Sequence, residues 1–178
     1  QSTILLGGRT MKSQMLRALC ATTLVVSASF LGGCSAIEGL LGSSTAARDA
    51  ETQEVTEAGD ADVFSLRVGD CYNDTSGESI SDVPAVKCSD PHDNEIYFTF
   101  VMPAGEWPGD EAITAAAEEQ CGAQFDIFVG LPYAESVLDW YPITPLEEGW
   151  NEIDDREILC AVWDTTGQIS GSLAGVAR

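Results

Sequence analysis

Three kinds of apolar pattern follow one another along this chain. Residues 19–31 form a nearly unbroken apolar and small-residue run, residues 34–62 show no sustained period, and from Val63 onward short alternating stretches flank one helical stretch. Segments 63–68, 83–88 and 95–102 are dense in β-branched and aromatic residues and read as strands, with Gly69-Asp70 turning the chain into Cys71. Ile113, Ala117, Cys121, Phe125 and Phe128 recur at helical spacing between Asp110, a capping residue type, and Gly130, a helix stop. Segment 140–144 reads as extended, and 145–151 as a turn or a single helical turn. Segment 156–163 is the strongest late strand, with Ile158, Cys160 and Val162 alternating onto the face that would meet the helix. The pattern predicts an α+β domain, a small antiparallel sheet with one main helix packed across it.

The first apolar run has a different meaning. Lys12 and Arg17 precede it, Gly32-Gly33-Cys34 ends it, and its length falls short of the ~20 residues that span a bilayer. Leu31-Gly-Gly-Cys34 resembles the lipobox of bacterial lipoproteins, which implies cleavage before Cys34 and lipid on its sulfur. The expected organisation is residues 1–10 as a mis-assigned extension ahead of Met11, 11–33 as a lipoprotein signal peptide, 34–62 as a lipidated N-terminus and disordered acidic tether, and 63–178 as the folded domain. The expected location is the outer face of the cytoplasmic membrane, held by the lipid anchor.

Charge narrows the partners. From Cys34 onward, Arg48, Arg67, Lys87, Arg156 and Arg178 stand against all 29 carboxylates. Such a field repels nucleic acid and anionic lipid headgroups, and leaves cationic partners or metal ions open. Cys71, Cys88, Cys121 and Cys160 are an even set in an exported chain, so two disulfides are expected. Zinc ligand pairs usually sit two to four residues apart, unlike these cysteines. Of the three possible connectivities, Cys71–Cys88 with Cys121–Cys160 is favoured, the first bracketing a hairpin-like stretch and the second joining the helix to the late strand.

Candidate chemistry is sparse. His92, the single histidine, sits in Asp90-Pro-His-Asp-Asn-Glu95. It would be a metal ligand or general base if carboxylates converged on it, and a turn-fixing hydrogen-bonding group otherwise. No nucleophile elbow is present, and the Asp70 to Gly77 stretch lacks the ligand spacing of an EF-hand. Trp107, beside Pro108-Gly109, is the expected exposed aromatic.

Val68-Gly-Asp-Cys71, Cys88-Ser-Asp-Pro-His-Asp-Asn-Glu95, Cys121, Trp150 ahead of Asp155-Arg156, Cys160 and Gly171-Ser-Leu173 follow in that order. This order resembles the septum formation domain family of secreted and membrane-anchored bacterial proteins, over about residues 66–175. Asp154 stands where that family usually has Gly before Asp-Arg. The resemblance implies a role in division or envelope assembly. The expected function is a lipid-anchored, non-catalytic, cofactor-free extracytoplasmic domain that binds a protein or wall component, with His92, Asp93, Glu95, Asp155 and Arg156 as one structural network or ligand-site rim. The alternative is an extracytoplasmic enzyme, or a metal- or solute-binding lipoprotein, centred on His92.

Overall fold

A computed structural model describes residues 45–76 and 81–178. The expected signal peptide and lipidated Cys34 lie outside the described residues. Eight strands and two α-helices follow in chain order: β1 Ala47–Arg48, β2 Val55–Glu57, β3 Gly59–Asp62, β4 Cys71–Tyr72, β5 Asp82–Val86, β6 Asn94–Val101, α1 Asp110–Val129, β7 Leu138–Ile143, α2 Glu147–Glu152 and β8 Glu157–Asp164. Six strands form one sheet in the order β3-β5-β4-β6-β8-β7, antiparallel throughout, and β1 pairs with β2 as a separate hairpin.

Helix α1 crosses one face of the sheet. Asp110 and Glu111 place negative charge in its first turn, where the helix dipole favours it, and Gly130 ends it in the left-handed conformation with φ +79°. Gly109, rather than Asp110, occupies the capping position. Ile113, Ala117, Cys121, Phe125 and Val129 are buried on its inner stripe, so the four-residue spacing continues to Val129 and leaves Phe128 half-buried. Opposite them stand Tyr97 of β6, Leu138 of β7 and Ile158, Cys160 and Val162 of β8. A register shift between Ile96 and Phe98 puts both Tyr97 and Phe98 on the helix side. Tyr97 uses its hydroxyl there, donating to the Cys121 carbonyl at 2.8 Å.

The other face is covered by residues expected to be disordered. Ala61 of β3 and Val63 and Leu66 of the next turn pack with Tyr72, Val83, Ala85, Ile96, Leu159 and Ala161, and Ala46 and Val55 of the β1–β2 hairpin close over them. The ordered domain therefore begins by Thr45, not Val63, and residues 45–62 are part of the fold. Arg48 holds them down: both its terminal nitrogens donate to the buried Asp70 carboxylate at 2.6 Å. Segment 63–68 is likewise not a strand. Val63–Ser65 form a 3-10 turn capped by the Asp62 side chain, with Val63 and Leu66 inward and Phe64 and Val68 out, a three-residue rather than two-residue spacing.

Disulfides join Cys71 to Cys88 and Cys121 to Cys160, the favoured pairing. The first ties β4 to the loop after β5, and the second ties α1 to β8. Closing loops of 17 and 39 residues, they stabilise the fold by about 3–4 kcal/mol each on the chain-entropy account.

Candidate functional site: an acidic, aromatic-lined cleft

The five residues expected to form one network are divided among three places. His92 is fully buried, and its Nδ1 donates to the Asp90 carbonyl at 2.8 Å, while its backbone pairs with Ile169. Glu95, also buried, accepts from Ser172 Oγ and the Leu173 N–H, each at 2.7 Å, so it holds the Gly171-Ser-Leu173 segment against β6. Asp93 faces away and accepts the Asp74 N–H at 2.9 Å.

At a third place Asp155 accepts the Glu157 N–H at 3.2 Å, next to Arg156. Its guanidinium sits 3.7 Å above the Trp150 ring, donates to the Trp150 carbonyl at 2.6 Å and pairs with exposed Asp154 at 2.7 Å. Trp150 in turn donates to the Gly105 carbonyl at 3.0 Å and meets Trp107 edge-on. Trp107 is therefore half-buried packing rather than an open platform. Asp154 adopts φ +60°. The position where the family has Gly thus keeps the left-handed backbone, which Asp tolerates better than most residues.

None of these three places is an open pocket with carboxylates converging on the histidine. A cleft that presents carboxylates to solvent lies at the β6-β8-β7 end of the sheet, with a volume of about 660 Å3. Asn94, Trp163 and Asp139 form one row across the three strands, because Trp163 is the register partner of both others. Asp74, Asp93, Tyr141 and Asp164 complete the walls, with Trp140 at the rim and its indole packed on the α1 side beside Tyr133. Asn94 donates to Asp74 at 2.7 Å, and Asp139 accepts from the Tyr133 hydroxyl at 2.7 Å and the Trp140 N–H at 2.8 Å. Asp164 pairs with Arg178, whereas no ion pair among the described residues reaches Asp74, Asp93 or Asp139.

The electrostatics follow from that arrangement. Burial pushes the Tyr141 hydroxyl above its usual range; the hydrogen bond shared with Tyr72 opposes this, and the charges of Asp74 and Asp93 add to it. The Tyr133 hydroxyl is raised by its bond to Asp139. Burial disfavours the charge on Asp164, yet the Thr166 hydrogen bonds and then Arg178 outweigh it and hold that carboxyl below the usual carboxylate range. Asp164 therefore stays charged at neutral pH, and the cleft sets its carboxylates beside Tyr141 and Trp163.

Strand addition is not how this edge can be read by a partner. Along β7 the Leu138 N–H is taken by Ser136 Oγ at 3.0 Å, the Trp140 N–H by Asp139, and Pro142 has none. Side-chain chemistry is what the cleft offers: carboxylates for a cation and aromatic faces for its desolvated flank. Asp74, Asp93, Asp139 and Trp163 are far apart in sequence and share no local motif; the sheet register is what assembles them.

No curated protein and no solved structure matches this chain. A family model described as septum formation matches residues 68–176, a span from β4's leading turn to the C-terminal segment that takes in the Cys71–Cys88 loop, the buried His92 and Glu95, and the cleft. The chain belongs to the septum formation family, which ties it to division at the cell envelope.

Proposed function

We propose that this chain is a lipid-anchored, non-catalytic domain on the outer face of the cytoplasmic membrane, acting in septum formation by binding a cationic group of a protein or wall partner. The observation that carries the reading is the cleft, with Asp74, Asp93 and Asp139 unpaired by any described cation beside Tyr141 and Trp163. A cation seated between carboxylates and aromatic faces gains from both Coulomb attraction and the ring quadrupole. Burial of His92 and full engagement of Glu95 by Ser172 and Leu173 support a binding rather than a catalytic role. The lipid anchor rests on the Leu31-Gly-Gly-Cys34 sequence. Among the described residues no helix is long and apolar enough to cross a membrane.

Imaging a fluorescently tagged chain in dividing cells tests the reading, together with its Cys34→Ala variant. The wild type should gather at the septum and stay with the membrane on fractionation, and the variant should be released in folded form. Even distribution of the wild type would overturn the septal role, and membrane retention of the variant would overturn the anchor.

A further inference from the structure

Two buried side-chain nitrogens among the described residues have no hydrogen-bond partner: Arg156 Nε, whose guanidinium lies over the Trp150 ring, and His92 Nε2. His92 Nδ1 is committed to the Asp90 carbonyl, and Nε2, fully enclosed, meets no hydrogen-bonding group among the described residues. An unsatisfied buried group costs about 1–3 kcal/mol, so its presence calls for a reason. A ring fixed through Nδ1–H on a backbone carbonyl, with the Nε2 lone pair turned inward, is the way proteins hold a metal-ligating histidine.

The surroundings match. One ligand atom each from Cys71, His92 and Glu95 lie within 4.8 Å of one another, and all three residues are buried. Glu95 is fixed by Ser172 on one carboxylate oxygen and Leu173 on the other, and each oxygen keeps a further lone pair for a metal. In the disulfide form the Cys71 sulfur offers no thiolate, so the cluster is short of strong ligands. Cys88, bonded to Cys71, lies outside that group and would supply the missing ligand once the bridge opens, and Cys88-x-x-x-His92-x-x-Glu95 spaces three ligands across the loop and the start of β6. Cys88 is also the less buried sulfur of the pair, which makes it the one an external thiol can reach.

We propose that reduction of the Cys71–Cys88 bridge converts this cluster into a zinc site formed by Cys71, Cys88, His92 and Glu95. A thiolate of an external dithiol attacks Cys88 Sγ, the S–S bond breaks, and Cys71 leaves as a thiolate. The second thiol of the reductant then displaces Cys88 from the mixed disulfide, and the reductant ends as its own disulfide. Zinc binds two thiolates, the Nε2 lone pair and one Glu95 oxygen, releasing whatever protons the thiols retain. Two sulfurs, one nitrogen and one oxygen in a tetrahedral set favour zinc over magnesium or calcium. Bridge and metal would then be alternative staples for the same junction, keeping β4 pinned to the Pro91-His92 loop in either redox state.

Cobalt titration of the full chain tests this, using the metal alone as the probe. The chain reduced with a phosphine under nitrogen should bind one cobalt ion with the intense visible bands of tetrahedral thiolate coordination, and the oxidised chain should not. Zinc should then protect Cys71 and Cys88 from iodoacetamide, read by peptide mass spectrometry, which separates them from the other cysteines. His92→Gln and Glu95→Gln should each weaken cobalt binding about tenfold or more. Absence of those bands in the reduced wild type, protection falling on other cysteines, equal binding by the oxidised chain, or unchanged affinity in both variants would overturn the proposal.

Discussion

Arg48 and Asp70 are 22 residues apart, and their bidentate pair is what fastens the N-terminal hairpin to the Gly-Asp-Cys turn. Removing one partner of a buried pair leaves the other charge without compensation, a loss of about 3–5 kcal/mol when burial is complete. Asp70 keeps the Arg67 N–H as a donor at 2.8 Å, so Arg48→Ala is expected at the lower end, about 3 kcal/mol by urea unfolding. A loss below about 0.5 kcal/mol would place the pair in the class of weak surface bridges and contradict a structural role for residues 45–62. Nothing in the sequence announced this contact. Asp70 was legible as part of a motif, but its partner lies in a stretch whose hairpin tucks away Ala46 and Val55 alone, too few apolar positions to make a period. Asp154 was legible as a departure from the family, and the structure resolves it: the backbone stays left-handed at φ +60° with Asp in place of Gly.

At the scale of elements, the strands and helix with many buried positions were legible because periodicity records burial. Helix α1 and strands β5, β6, β7 and β8 fall where the pattern places them, within two residues, and the Cys121–Cys160 pairing follows from both residues facing the same interface. Segment 63–68 was misread because Val, Phe and Leu density signals a strand, whereas the Asp62 cap and the turn at Gly69 impose a 3-10 geometry. The sheet also sets a pH limit. Burial raises the hydroxyl of Tyr97 above its ordinary range, and burial followed by the neighbouring charges of Tyr141 and Asp74 raises that of Tyr72. A raised pKa contributes stability that is complete below the unfolded value, about 10 for tyrosine, and is lost as pH climbs toward the folded value. The melting temperature should therefore fall above about pH 10, and Tyr97→Phe should make that fall shallower. A melting temperature that stays level through this range would contradict the burial of these hydroxyls.

Over the whole molecule, charge and site have to be read together. The strongly acidic composition argues against nucleic acid as a ligand, but composition alone does not say where a cation would sit. The sheet register answers this by placing Asp139, Trp163 and Asn94 in one row, with Asp74, Asp93 and Tyr141 beside it. His92, the residue that drew notice in the sequence, turned out to be interior, and of the expected network only Asp93 lines the cleft, beside residues that carried no local signal. Binding there should weaken with salt, because its electrostatic part acts at a partly exposed surface. The most direct test is a titration of the full chain with a hexalysine peptide, followed by tryptophan fluorescence, for the wild type and for Asp93→Asn/Asp139→Asn. Both asparagines keep an oxygen to accept the present hydrogen bonds, so the variant changes charge and little else. The account predicts saturable, salt-sensitive binding by the wild type and at least a fivefold loss in the variant, about 1 kcal/mol. Equal affinity for the two proteins, or binding indifferent to salt, would contradict the cleft as the cation site.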